Sequence, residues 1–370
     1  MVKICIILGT RPEIVKLSPI IRECGRLHLD CFILHTGQHY SYNMDKVFFM
    51  QLDLPEAKYN LDVGSGTHGK QTGKMLVGIE EILMQESLDV VLVEGDTNTV
   101  LAGALAAVKL GIKVGHVEAG LRSYDRRMPE ETNRVLVDHC ADYLFAPTPK
   151  SKENLLHEGI AENQIFMVGN TIVDAVHQNL KIAQSKTQIL NQLSLDEGKY
   201  MLATSHRQEN VDDKNRFAGI IKGLQLVQKE FGLPLIYPIH PRARKQLDLF
   251  SIDAGGLTLV EPLDFLAFLM LESKAKLVLT DSGGVQEETC ILGVPCVTLR
   301  DNTERPETID VGSNILAGTD PHKILEVAKV SCAQKKVWIN PFGDGKTASK
   351  IINVLRHELK KLRSYEVPSR

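Results

Sequence analysis

Thr280-Asp281-Ser282-Gly283-Gly284-Val285-Gln286-Glu287-Glu288 is the stretch that decides the fold. The run before it, residues 276–279, is short and apolar and predicts a buried strand. Residues 289–292 continue a helix that begins inside the stretch. Strand, glycine-bearing turn and helix in that order make one arm of a parallel α/β unit. Ser282 is a residue type that caps helices, and the two glycines let backbone N–H groups approach a ligand closely. A helix start of this kind attracts phosphate through its unpaired N–H groups and its dipole. Glu288, about a turn further on, is placed to accept a hydrogen bond from a sugar hydroxyl. An anion cradle followed by a carboxylate suggests a nucleotide or sugar nucleotide, although a capped turn with no ligand reads the same way locally.

Outward from this stretch the same alternation runs along the whole chain. Apolar runs at 4–8, 31–34, 90–93, 113–117, 143–146 and 165–168 form one series. Runs at 200–204, 235–239, 257–260, 277–280, 296–299 and 314–316 form a second. Helical patterns lie between them, among them 12–24, 71–85, 97–110, 213–229 and 324–332. The expected fold class is α/β with two Rossmann-like domains. The boundary is expected after Gly169, giving domains 1–169 and 170–354, with 184–198 as a loop-rich insertion. An amphipathic last helix, about 347–362, is expected to carry the chain back, so that residues from about 355 to 370 pack on the first domain and the end frays. Ligands of parallel sheets sit beyond the carboxyl ends of the strands, so the chemical residues should follow the strands.

Composition narrows the function classes. A length of 370 residues exceeds one ordinary core and fits two domains. An apolar fraction of 43% and a charged fraction of 24% are those of a soluble globular protein. A net charge of −3 offers no general attraction to nucleic acid or an anionic membrane. The cysteines at 5, 24, 31, 140, 290, 296 and 332 form no CxxC pair and read as reduced thiols of a cytoplasmic protein. No run approaches the ~20 apolar residues of a membrane span. The first apolar run meets Arg11 and Glu13 at once, so it reads as a strand rather than a signal peptide.

The strand ends carry the chemistry. Gly9-Thr10-Arg11-Pro12-Glu13 opens a helix with Pro12 in its first turn. Arg11 can fork onto a phosphate, and Lys16 lies one turn further on. Asp96 follows the run 90–93, Glu118 follows 113–117, and Glu130 and Glu131 open another helix. One acid at such a place is usually a cap; acids at successive strand ends make acid–base chemistry plausible. His206 follows the run 200–204 and is suited to a leaving phosphate, though a lone histidine is often structural. The loop 300–307, Arg-Asp-Asn-Thr-Glu-Arg-Pro-Glu, suits a diphosphate or sugar clamp. Gly64-Ser65-Gly66-Thr67-His68-Gly69-Lys70 fits both GxxxxGK and GxGxxG, but Gln71 stands where a P-loop needs Ser or Thr. It reads as a mobile glycine-rich loop, not as a site for a nucleotide triphosphate or NAD. His116, His139 and His206 lack the spacing of metal ligands, so no metal is expected.

In chain order GTRPE, GDTNT, HVEAGLR, PEETNR, SHRQEN, TDSGGVQEE, RDNTERPE and NPFGDG resemble the motifs of the non-hydrolysing UDP-N-acetylglucosamine 2-epimerases over nearly the whole chain. The resemblance implies the glycosyltransferase-B architecture with its interdomain cleft, a homodimer, UDP held mainly by the second domain, and a place in polysaccharide biosynthesis. It implies catalytic roles for Asp96, Glu118, Glu130 and His206. It implies substrate binding by Arg11, Lys16, Ser282, Gly283, Gly284, Glu288 and Arg305, with Phe268 at the uracil. The reaction implied inverts carbon 2 of UDP-N-acetylglucosamine to give UDP-N-acetylmannosamine. The carbon-2 proton and UDP leave together to give a 2-acetamidoglucal, and both return with the proton on the other face. No redox cofactor is needed.

Two further resemblances concern the substrate. Bacterial relatives bind a second substrate molecule as an activator through Gln-His-Arg, which stands here as Gln38-His39-Tyr40. The segment 67–76 resembles the branch that acts on UDP-2,3-diacetamido-glucuronate. The alternatives are therefore a 2-epimerase of that related sugar, a retaining glycosyltransferase of the same architecture, and a UDP-sugar sensor without catalysis.

Overall fold

The structure is a computed structural model that describes residues 2–38, 42–334 and 337–365. His39 and Tyr40 of the expected activator motif, and the last residues of the tail, lie outside the described residues. The chain divides into two compact units, residues 1–175 with 342–370, and residues 176–341.

The first unit is built on a parallel sheet of seven strands. These are β1 (Lys3–Leu8), β2 (Asp30–His35), β3 (Tyr59–Asn60), β4 (Val90–Glu94), β5 (Lys113–Val117), β6 (Tyr143–Ala146) and β7 (Ile165–Met167). Their spatial order is β3-β2-β1-β4-β5-β6-β7. Ile4 to Leu8 are all fully buried, because helices cover both faces of the sheet. A strand buried on both faces reads as an unbroken apolar run, which is why most of these strands were expected. The two-residue β3 carries no such run and was not. The helix Asn98–Lys109 lies close on β1 and β4: a Cβ at Gly103 would sit 3.1 Å from Val93 and 3.2 Å from Ile7. Thr97 caps that helix by accepting from Val100 N–H.

The second unit repeats the plan with β8 (Met201–Thr204), β9 (Leu235–Pro238), β10 (Thr258–Val260), β11 (Val278–Thr280), β12 (Cys296–Thr298) and β13 (Asn314–Leu316). The order is β10-β9-β8-β11-β12-β13, again with parallel pairs. Phe217, Ile220 and Leu224 of the helix Lys214–Phe231 pack with Met201, Tyr237 and Leu279. Asp213 caps this helix at both Asn215 and Arg216 N–H, each 2.9 Å, and Gly232 ends it at φ 60°. The expected α/β class with two Rossmann-like sheets is thus observed. Each sheet reverses its strand order once, between β1 and β4 and between β8 and β11, which is where parallel sheets hold ligands.

The last helix, Thr347–Tyr365, packs on the helix Arg11–Arg26 of the first unit. Asp174 accepts from Thr347 and Ala348 N–H at 3.1 Å each, which satisfies the start of that last helix. Asn170 N–H donates to the Phe342 carbonyl at 2.8 Å. Among the described residues no helix is long and apolar enough to cross a membrane.

Candidate active site

In the first unit, the neighbouring strands β1, β4 and β5 end in Gly9-Thr10, Glu94-Gly95-Asp96 and Glu118. Gly9 is required by space, since a Cβ there would fall 1.9 Å from Thr36 Oγ1 and 2.6 Å from Thr99 Oγ1. The chain then enters the helix Arg11–Arg26, and Glu13 accepts from Gly9 and Thr10 N–H at 2.6 and 3.0 Å. Thr97 also donates to Glu13. Burial still lifts the Glu13 carboxyl to about 7, against those hydrogen bonds. Arg11 leaves the first turn half-exposed, with Nε 3.6 Å from Asp45 and its guanidinium 5.8 Å from the Phe48 ring centre. His35 meets the same Asp45 at 3.2 Å.

Lys16 and Glu118 come together one turn along. Lys16 Nζ lies 2.6 Å from Glu118 Oε2 and 3.2 Å from Glu94 Oε1. Asn170 Nδ2 donates to Glu118 Oε1 at 2.8 Å. Glu118 is buried and takes φ 69°, the left-handed region that side chains rarely enter. Such strain costs about 1–3 kcal/mol and tends to mark functional positions. Burial pushes the neighbouring Glu94 carboxyl well above the usual carboxylate range; Lys16 opposes this and Glu118 adds to it. Asp96 is partly buried and ion-paired with Arg134. Asn133 Nδ2 holds the Asp96 carbonyl at 2.9 Å.

The two acids that open the helix Pro129–Cys140 part company. Glu131 accepts from Ser123 N–H at 2.9 Å, Ser123 Oγ at 2.8 Å, Tyr124 N–H at 2.9 Å and Arg134 Nη1 at 2.5 Å. It is consumed in holding the loop that precedes its own helix. Glu130, beside it, is partly buried. His116 is structural, bridging Asp138 at 2.7 Å and the Gly95 carbonyl at 2.8 Å. In the glycine-rich segment, Gln71 Nε2 donates to Gly64 O at 2.9 Å and Gln38 O at 2.7 Å, and His68 opens the helix His68–Leu83.

In the second unit the hub is Asp281, fully buried after β11. It accepts from Ser205 Oγ at 2.9 Å, Arg207 N–H at 3.0 Å, Asn210 Nδ2 at 3.1 Å and His206 N–H at 3.0 Å. His206 Nδ1 lies 3.3 Å from its other oxygen. The histidine expected from the sequence is therefore oriented from the neighbouring strand end. Burial lowers its pKa, and the Asp281 charge opposes that.

Ser282 occupies the N-cap position of the helix Gly283–Leu292, but its side chain makes no capping hydrogen bond. Its N–H donates to Thr280 Oγ1 at 3.0 Å. A Cβ at Gly283 would come no closer than 3.7 Å to Glu304, and one at Gly284 no closer than 3.9 Å to Ser282 Oγ. Neither glycine has positive φ. Packing within the chain therefore does not demand glycine here, whereas close approach of a phosphate to the helix N–H groups would. Arg305 Nε meets Glu287 at 2.8 Å, and its N–H donates to Thr303 Oγ1 at 3.0 Å. Arg300 braces the same loop through Glu304 and Glu209.

Glu288 is paired with Glu272 of the helix Phe265–Lys274. Burial lifts Glu288 to about 7, while the hydrogen bond from Glu272 pulls the other way. Glu272 is buried deeper, and burial pushes its carboxyl well above the usual carboxylate range. Phe268 lies one helical turn before Glu272 on the same helix.

Three of these residues were missed in the sequence: Glu94, Asp281 and Glu272. Glu94 closes the strand Val-Val-Leu-Val-Glu, and a carboxyl ending an otherwise apolar strand was the available signal. Asp281 sits in the opening stretch but gave no sign of facing the β8 end. Glu272 lies within an apolar helix, and that isolation was its signal.

The sequence profile of the UDP-N-acetylglucosamine 2-epimerase family matches residues 22–356. The UDP-N-acetylglucosamine 2-epimerase of Methanocaldococcus jannaschii is 56% identical over 363 residues, covering 96% of this chain and 99% of that protein. The UDP-2,3-diacetamido-2,3-dideoxy-D-glucuronate 2-epimerase of Pseudomonas aeruginosa is 40% identical, covering 95% of this chain and 99% of that protein. A crystal structure of the Methanocaldococcus jannaschii enzyme in complex with UDP-GlcNAc and UDP superposes with a TM-score of 0.83 at 55% identity, covering 96% of this chain and 99% of that one. With the motifs and the two reversed-order sheets, these likenesses show that the chain belongs to the UDP-N-acetylglucosamine 2-epimerase family.

Proposed function

We propose that this chain is an isomerase that inverts carbon 2 of UDP-N-acetylglucosamine to give UDP-N-acetylmannosamine. The observation that carries the chemistry is Glu118, forced into left-handed backbone and gripped by Lys16 and Asn170. A carboxylate so placed is organised to move a proton. The carbon-2 proton and UDP leave, a 2-acetamidoglucal forms, and proton and UDP return with carbon 2 inverted. Asp96, Glu118 and Glu130 carry the proton chemistry. His206, whose pKa burial lowers, acts at the departing diphosphate.

UDP is held by the second unit. The diphosphate lies on the helix start at Ser282, Gly283 and Gly284, with Arg305 beside it. The ribose hydroxyls donate to Glu288, and uracil lies on Phe268. Arg11 and Lys16 are also substrate-binding residues. The enzyme works in the cytoplasm as a homodimer and needs no added cofactor.

The test is turnover of the purified protein with UDP-N-acetylglucosamine, followed by chromatography for UDP-N-acetylmannosamine. A parallel incubation uses UDP-2,3-diacetamido-glucuronate. Epimer from the first alone supports the assignment. Epimer from the second alone moves it to the related sugar. Binding without turnover, or turnover only with an added acceptor, overturns it.

A further inference from the structure

We propose that Glu94 is a positioning residue for the proton transfer: uncharged at the end of β4, it donates its carboxyl hydrogen to Glu118 and, with Lys16, keeps that side chain ionised and aimed. This rests on the reading of Glu118 as a group that moves the substrate proton. Glu94 itself makes no bond to the substrate, and its hydrogen stays with it.

The geometry is that of two carboxyls sharing one cation. Glu94 pairs with Val117 across β4 and β5, and Gly95 N–H donates to the Val117 carbonyl at 3.1 Å. The side chains of Glu94 and Glu118 therefore leave adjacent strand ends. Glu94 is 2% exposed and Glu118 8%. Between them stands Lys16 Nζ, 2.6 Å from Glu118 and 3.2 Å from Glu94. A single ammonium cannot compensate two desolvated carboxylates, and the cheaper state puts a proton on one of them.

The donors decide which one. Glu118 takes the shorter contact to Lys16 and the amide hydrogen of Asn170 at 2.8 Å, and both favour its anion. Glu94 Oε1 meets the ammonium without a well-formed hydrogen bond. Glu13 on the helix Arg11–Arg26 also acts on Glu94, and its field disfavours a charge there. Burial acts in the same direction. Glu94 therefore carries the proton, and its hydroxyl points at Glu118.

The experiment measures kcat and KM for UDP-N-acetylglucosamine between pH 6 and 10 for wild type, Glu94→Gln and Glu94→Ala. Ionising Glu94 removes a donor from Glu118 and adds a rival for Lys16, so wild-type kcat should fall on the alkaline side. Glutamine donates but cannot ionise. In Glu94→Gln that fall should move up by about a pH unit or more, or vanish, with KM nearly unchanged. Glu94→Ala lacks the donor and should lose about tenfold or more in kcat. An alkaline midpoint identical in wild type and Glu94→Gln, or wild-type kcat in Glu94→Ala, would overturn the proposal. If the alanine variant does not fold, the glutamine midpoint decides alone.

A readout independent of turnover separates this proposal from the proposed function. A carboxyl raised by burial loses stability as pH climbs from the ordinary carboxylate range to its own folded midpoint. Wild type should therefore lose melting temperature relative to Glu94→Gln over that span. Parallel melting curves would refute the buried proton. Wild type that melts as expected but makes no epimer would refute the function instead.

Discussion

Asp281→Asn tests the hub of the second unit. Oδ2 accepts from Ser205 Oγ, His206 N–H, Arg207 N–H and Asn210 Nδ2 at 2.9, 3.0, 3.0 and 3.1 Å. Oδ1 faces His206 N–H at 3.1 Å and His206 Nδ1 at 3.3 Å. Asparagine has the right shape but only one acceptor oxygen. With that oxygen in the Oδ2 position, four charge-assisted bonds become neutral ones, and an amide N–H faces the His206 N–H. Hydrogen bonds to charge contribute about 1.5–3 kcal/mol and neutral ones about 0.5–1.5. Relief from burying a charge offsets part of that loss, leaving a net cost of about 2–4 kcal/mol. For a unit of this size each kcal/mol lowers the melting temperature by about 2–4 °C, so calorimetry should show a fall of about 5–15 °C. His206 also loses the one charge that opposes its burial. Its pKa should drop further, and any acid limb it imposes on kcat should move to lower pH. A fall below about 2 °C together with an unmoved acid limb would show that Asp281 does not organise this strand end.

The other variants probe the remaining parts of the site. Glu288→Gln should raise the UDP dissociation constant by about 10–100-fold, the equivalent of about 1.5–3 kcal/mol for ribose bonds to a charged acceptor. Because burial pushes the free Glu288 carboxyl up to about 7, wild-type affinity measured calorimetrically should weaken as pH falls through that region. The glutamine variant should lose that dependence; equal pH slopes would remove Glu288 from the ribose. Asp96→Asn and Glu118→Gln should each lose roughly 10²–10⁴-fold in turnover with little change in UDP affinity. Near-normal turnover in either would end its proposed role. Gly9→Ala forces a Cβ to 1.9 Å from Thr36 Oγ1 and should cost about 1–3 kcal/mol on denaturant titration. An unchanged unfolding midpoint would mean that the turn shifts freely.

The two sheets were legible because their strands are covered on both faces and read as apolar runs. β3 escaped because two residues leave no periodic pattern. At the candidate site, the residues named from the sequence were those whose motifs end strands or open helices, such as Arg11, Asp96, Glu118 and Ser282. The unreadable ones act across the sheet. Glu94 matters through Glu118 on the next strand, and Asp281 through the β8 end. Local sequence names a carboxyl but not the partner that a parallel register brings beside it. The division between Glu130 and Glu131 was open for the same reason, since only the folded loop at Ser123 and Tyr124 shows which acid is consumed.

The central claim is proton exchange at carbon 2 by this chain without a redox cofactor. Its most direct test is proton NMR of the purified protein with UDP-N-acetylglucosamine in heavy water, with no NAD added. The account predicts that UDP-N-acetylmannosamine appears and that deuterium replaces hydrogen at carbon 2 in both epimers. Epimer that retains its original carbon-2 hydrogen, or activity that depends on added NAD, would contradict it.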